Sequence, residues 1–167
     1  MLGRKRTAPA ALALAAVLAM AGCGSSAPTK AQYVAKADAI CAAESARTAP
    51  LIGQVTAAAS ALGTGGASGA RKLESTVAEL LAVTATYLAR LQKLEQPSGA
   101  HAAIGRFLTP LAGVVGAIGQ AATALDAGQS QQALGLLEKA RPTAAQATSG
   151  AREYGLVRCE TVLGALG

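Results

Sequence analysis

Residues 73–94 read LESTVAELLAVTATYLARLQKL, and the fold turns on how this stretch is read. Leu73, Val77, Leu80, Leu81, Thr84, Leu88, Leu91 and Leu94 recur every three or four positions, the repeat of one helix face. Glu74, Glu79, Arg90 and Lys93 fall mostly off that line, with Arg71, Lys72 and Glu95 at its ends. The pattern predicts a helix over 70–95, wet on one side and apolar on the other. Such a helix needs partners for its apolar stripe.

The flanking sequence supplies them. Upstream, GTGGASG (63–69) predicts a loop, and before it a helix is expected over 30–62. That helix carries an apolar line of Tyr33, Ala37, Ile40, Leu51, Val55, Ala58 and Leu62, and Pro50 should kink or divide it. Thr29 and Gln32 have the spacing of a capping box at its start. Downstream, QPSG (96–99) closes the 70–95 helix and offers Ser98 as the N-cap of a third, over 99–127.

The third helix includes a run without charge, residues 107–125, long enough to cross a bilayer. Pro110, Gln120, two threonines and the glycines 113, 116 and 119 make that run only mildly apolar. It reads better as a well-buried central helix, its glycines marking places where a neighbouring backbone comes close. DAGQS (126–130) turns the chain with Gly128 in the C′ position. A fourth helix is expected over 131–154, with Leu134, Leu137, Ala140, Ala144 and Ala151 inward and Pro142 inside it. Gly155 is placed to end it in a left-handed cap with Leu156 folding back. The remaining residues, to 167, form a short segment with no assigned structure. Four helices with short connections predict an all-α, up-down-up-down four-helix bundle.

Composition agrees and narrows the function. The chain is 51% hydrophobic but 2% aromatic, and alanine, a strong helix former that buries little area, dominates it. Residues 1–22 carry the marks of an export signal: Arg4, Lys5 and Arg6, an apolar stretch too short to span a bilayer, then small residues. Removing those three charges halves the formal net charge of +6. What is left has no Lys/Arg blocks interleaved with aromatics, and no nucleic-acid partner is expected.

Met20-Ala21-Gly22-Cys23 resembles the lipobox of bacterial lipoproteins, with Met20 where Leu usually stands. The resemblance implies cleavage before Cys23 and lipidation of its thiol. The protein would then be held on the extracytoplasmic face of the cell membrane. Residues 23–29 become the lipidated cysteine and a tether, which reaches about 20 Å fully extended, and 30–167 the helical domain. Export to an oxidising compartment leaves Cys41 and Cys159 to each other. In an up-down-up-down bundle the start of the first helix and the end of the last lie at one end, so a Cys41–Cys159 disulfide is expected.

A second resemblance covers most of the mature chain. Tyr33-Val34-Ala35-Lys36-Ala37-Asp38-Ala39-Ile40-Cys41, Phe107-Leu108 with Pro110-Leu111, and Tyr154-Gly155-Leu156-Val157-Arg158-Cys159 look like the pattern of small secreted or lipid-anchored actinobacterial proteins. It implies the fold and the anchoring, and adds nothing on function. Residues 117–140 faintly resemble a tetratricopeptide helix pair, but no second copy follows at that period.

Chemistry has little to work with. His101 is the sole histidine and sits in the first turn of the third helix, where a surface or capping role is the ordinary one. No nucleophile motif or phosphate loop appears, and the nearest carboxylate groupings, Asp38 with Glu44 and Glu74 with Glu79, lack the crowding of a calcium loop. No catalytic residue, metal site or cofactor is expected. The tyrosines 33 and 154 should pack around the cystine with their hydroxyls in water. The expected role is a non-catalytic binding or envelope-interaction module, partnered by the membrane and by a protein or envelope component. The alternative is a carrier holding a small apolar ligand between kinked helices.

Overall fold

The computed structural model describes residues 27–164; the expected export signal, Cys23 and most of the expected tether lie outside them. Every regular element among the described residues is an α-helix: α1 (Lys30–Gln92), α2 (His101–Asp126), α3 (Ser130–Tyr154) and α4 (Val157–Gly164).

The start of α1 follows the sequence closely. The Gln32 amide donates to Thr29 Oγ1 (3.3 Å) and the Thr29 amide to Gln32 Oε1 (2.8 Å), the two halves of a capping box. The expected loop at 63–69 is much smaller than predicted. Helical structure runs through it, and within α1 the backbone leaves helical dihedrals at Gly66 (φ 52°, ψ −136°). That conformation is open to glycine and costly for other residues. Alanines and small residues on both sides carry the helix up to this hinge, so a seven-residue loop is not needed. α1 is therefore two arms, and they pair antiparallel. Lys72 Nζ meets Gln54 Oε1 at 3.4 Å, Arg90 Nη1 meets Glu44 Oε1 at 2.9 Å, and Tyr87 Oη meets Cys41 Sγ at 3.1 Å. Beside the hinge a Cβ on Gly69 would lie 3.2 Å from the Ala61 carbonyl oxygen, so the arms approach closely there.

Pro50 does not divide the helix. It, Pro110 and Pro142 all sit inside helical runs. A proline frees the carbonyl four residues earlier, here on Ala46, Arg106 and Glu138; Ala46 and Glu138 are exposed, so water can take their freed acceptors, while the Arg106 carbonyl lies against Gly150 of α3. Ser98 is likewise not the cap expected of it: α2 starts two residues later than predicted, at His101, after Ala100, without a side-chain cap. Gly128 (φ 73°) and Gly155 (φ 91°) end their helices as the sequence suggests. In each case the next residue's amide reaches back to a carbonyl at 2.8 Å, Gln129 to Ala124 and Leu156 to Ala151.

The last segment was given no structure by its sequence, yet it folds as α4. Leu156, Cys159, Val162 and Leu163 all turn inward at helical spacing. The Arg158 amide, in the first turn, donates to Asp38 Oδ1 (3.0 Å), so α1 supplies a cap that α4 lacks in its own sequence. Cys41 and Cys159 are disulfide-bonded across the same contact.

α2 packs most intimately on α3. Its inward line is Ile104, Phe107, Leu111, Val114, Ile118, Ala121 and Leu125, one face of the helix, while much of the rest is open to solvent. The expected well-buried central helix is thus buried along one stripe. α2 is long and apolar enough to cross a membrane, with a mean hydropathy of 1.5 over its most apolar window. The close backbone approaches expected at its glycines are not found: a Cβ on Gly113 would meet the Thr143 side chain, 3.1 Å from Cγ2, Gly116 has open space and Gly119 an ordinary contact with the Leu81 side chain. The tightest approach belongs to Gly150 on α3, which lies directly against the backbone of Arg106 and Phe107.

Candidate functional site

The buried side chains divide into two clusters of different chemistry. One surrounds the cystine and contains all four aromatic residues, Tyr33, Tyr87, Phe107 and Tyr154, with Leu91, Ile104, Leu111, Leu156 and Leu163. The other runs toward the Gly66 hinge and holds Leu51, Leu73, Val77, Leu80, Val83, Val114, Ile118 and several alanines, with no aromatic.

The cystine end is solidly filled. Tyr33 and Tyr154 meet edge to face with centroids 5.8 Å apart, and Lys30 Nζ lies 4.8 Å from the centre of the Tyr154 ring. Their hydroxyls are not in water as expected: both are buried without a hydrogen-bond partner among the described residues. Burial, and then the neighbouring Tyr154, pushes the Tyr33 phenol up to about 12. Burial is also the main cause that raises Tyr87, with the Glu44 carboxylate second. Glu44 is 1% exposed and held by Arg90 Nη1 at 2.9 Å, with Arg47 Nη1 3.6 Å from its other oxygen. It anchors the two arms of α1 to each other. His101 is exposed on the first turn of α2. Among the described residues no three His, Cys, Asp or Glu side chains gather as a metal would need.

The hinge half is less complete. A cleft of about 470 Å³ opens between the first arm of α1 and α3. One wall is Ile52, Val55, Thr56, Ala59 and Ser60; the other is Leu134, Leu137, Glu138, Ala140, Arg141 and Ala144. Leu80, Val114 and Ile118 form the floor. Its physical origin lies in the composition. With the aromatics spent at the cystine end, the side chains available here are too small to close the space between these walls. Ile52, Val55, Leu134 and Leu137 are left half-buried, although their spacing would suit a core. The hydroxyls in the cleft are already satisfied: Thr56 donates to the Ile52 carbonyl (3.1 Å) and Ser60 to the Thr56 carbonyl (3.0 Å). At the rim Arg141 Nε and Glu138 Oε2 pair at 3.1 Å, both well exposed.

Of the residues singled out from sequence, Cys41 and Cys159 come together, Cys23 lies outside the described residues, and Leu134 and Leu137 face the cleft where core positions were expected. The sequence reading missed Glu44 as a buried anchor and Gly150 as a packing contact. The one available signal for Glu44 was its place on the Tyr33, Ala37, Cys41 line. Comparison with known proteins finds no matching protein family, no matching curated protein and no matching solved structure.

Proposed function

We propose that this chain is a membrane-anchored extracytoplasmic lipoprotein, lipidated on Cys23, whose domain is an up-down-up-down four-helix bundle that binds without catalysis. Its arms would be the two halves of α1, then α2 and α3, with α4 sealing the cystine end. The antiparallel pairings within α1, and the Gly113–Thr143 and Gly150–Arg106 approaches between α2 and α3, support that arrangement.

Between the two binding roles, the carrier of a small apolar ligand is favoured by one observation. The cleft between α1 and α3 has the size of a small-molecule pocket, is walled mainly by aliphatics, and its two hydroxyls, on Thr56 and Ser60, are already bonded to backbone carbonyls. A lipid-anchored protein would meet such ligands in the envelope itself.

Two measurements test this reading. Cys23→Ala should release the protein from the membrane fraction; continued retention would transfer the anchoring to α2. Organic extraction of the purified full-length protein, followed by mass analysis, should yield an apolar compound near one equivalent. Clean extracts from protein that also takes up no added apolar compound would contradict the carrier role.

A further inference from the structure

The shape and chemistry of the cleft narrow its ligand further. No lining side chain is aromatic, so nothing offers a flat face to a planar ring system. The walls are mostly methyl-bearing side chains along two helices, and the hydroxyls of Thr56 and Ser60 are turned back onto their own backbone. A ligand that needed hydrogen bonds along its length would lose them on entry, because the other polar side chains of the lining, Glu138 and Arg141, stand at the rim. A flexible hydrocarbon loses nothing of the kind.

Length gives a second constraint. The cleft follows α1 from Ile52 to Ser60 and α3 from Leu134 to Ala144, which at the α-helical rise is about 12–15 Å. A zigzag of carbon–carbon bonds near 1.5 Å fills that length with roughly ten to twelve atoms. The rim adds little selectivity. Glu138 and Arg141 neutralise one another in solvent, where such a pair is weakly held, so a head group of either sign meets no net charge there. The cleft is also remote from the start of the domain: Ile52 lies about 35 Å along α1 from Thr29, beyond the roughly 20 Å reach of the expected tether.

We propose that the cleft binds a single unbranched aliphatic chain of about ten to twelve carbons, with the head group left in water at the Glu138–Arg141 rim. This rests on the carrier reading above and specifies its ligand. The floor of Leu80, Val114 and Ile118 would take the middle of the chain, and Ile52, Val55, Leu134 and Leu137 would close over it.

The test uses the full-length Cys23→Ala protein, which carries no acyl chain, titrated by calorimetry with octanoate, decanoate, dodecanoate and hexadecanoate below their aggregation limits. Affinity should rise about fourfold per added methylene and level off near dodecanoate. Dodecyl sulfate and dodecyltrimethylammonium should bind within a few-fold of dodecanoate. Ala59→Trp and Leu137→Trp, on opposite walls, should each abolish binding while circular dichroism remains that of the parent; two are used so that one misfolded variant does not decide the outcome. Tight binding of a sterol or a polycyclic aromatic with no chain-length dependence would overturn this proposal and leave the carrier role standing. Failure of every apolar compound to bind would overturn both.

Discussion

Gly150 and Glu44 show how single positions hold this small-residue core together. A Cβ on Gly150 would lie 2.8 Å from the Phe107 nitrogen and closer still to the Arg106 carbonyl, and backbone cannot rotate aside as a side chain can. Gly150→Ala should therefore destabilise the fold by about 1–3 kcal/mol, despite the higher helix propensity of alanine, as denaturant unfolding would show. Glu44 acts through charge. Arg90→Ala removes the 2.9 Å partner of a carboxylate that is 1% exposed, and should cost about 1–3 kcal/mol. Tyr33 makes the fold sensitive to alkali. Its phenol is displaced upward from the ordinary 10.0 to about 12, so the folded state favours the neutral form. Its contribution is intact below pH 10 and is lost as pH rises from there through 12. Phenolate absorbance and loss of helicity should appear together over that window. Phenolate formed at ordinary pH with the helices intact would contradict the burial of the ring.

At the scale of elements, α4 depends on α1. Asp38→Ala removes the oxygen that accepts the Arg158 amide, and should speed hydrogen exchange in the first turn of α4 and cost about 1 kcal/mol. This cap also shows what the sequence could and could not reveal. Signals that act within a few residues were legible: Thr29 with Gln32, the glycine caps at 128 and 155, and the long stripe of residues 73–94. Features made by two distant segments were not. Asp38 caps a helix well over a hundred residues away, Gly150 is required by the backbone of α2, and a helix of eight residues carries too little periodicity to stand out. The glycine-rich stretch at 63–69 misled in the opposite direction, because one glycine at 66 makes the whole reversal. The cleft was legible only indirectly, as aromatic residues confined to positions that fold to one end. Leu134 and Leu137 have core spacing and acquire a different role because no opposing side chain is large enough to reach them.

At the scale of the molecule, the cystine and the cleft lie in opposite halves, one filled by aromatics and the other left open. The disulfide closes a loop of 118 residues, for which chain entropy gives about 4–5 kcal/mol. Reduction, or paired replacement of Cys41 and Cys159 by serine, should lower thermal stability by that order and leave an intact helical spectrum only under mild conditions. Stability drawn from that end lets the hinge half remain incompletely packed, which is what a binding cleft requires. The most direct measurement of this account is native mass spectrometry of the full-length Cys23→Ala protein beside its Ala59→Trp counterpart. One apolar molecule should be bound to the former and none to the latter. Equal occupancy of the two would place the ligand elsewhere and contradict the cleft as its site.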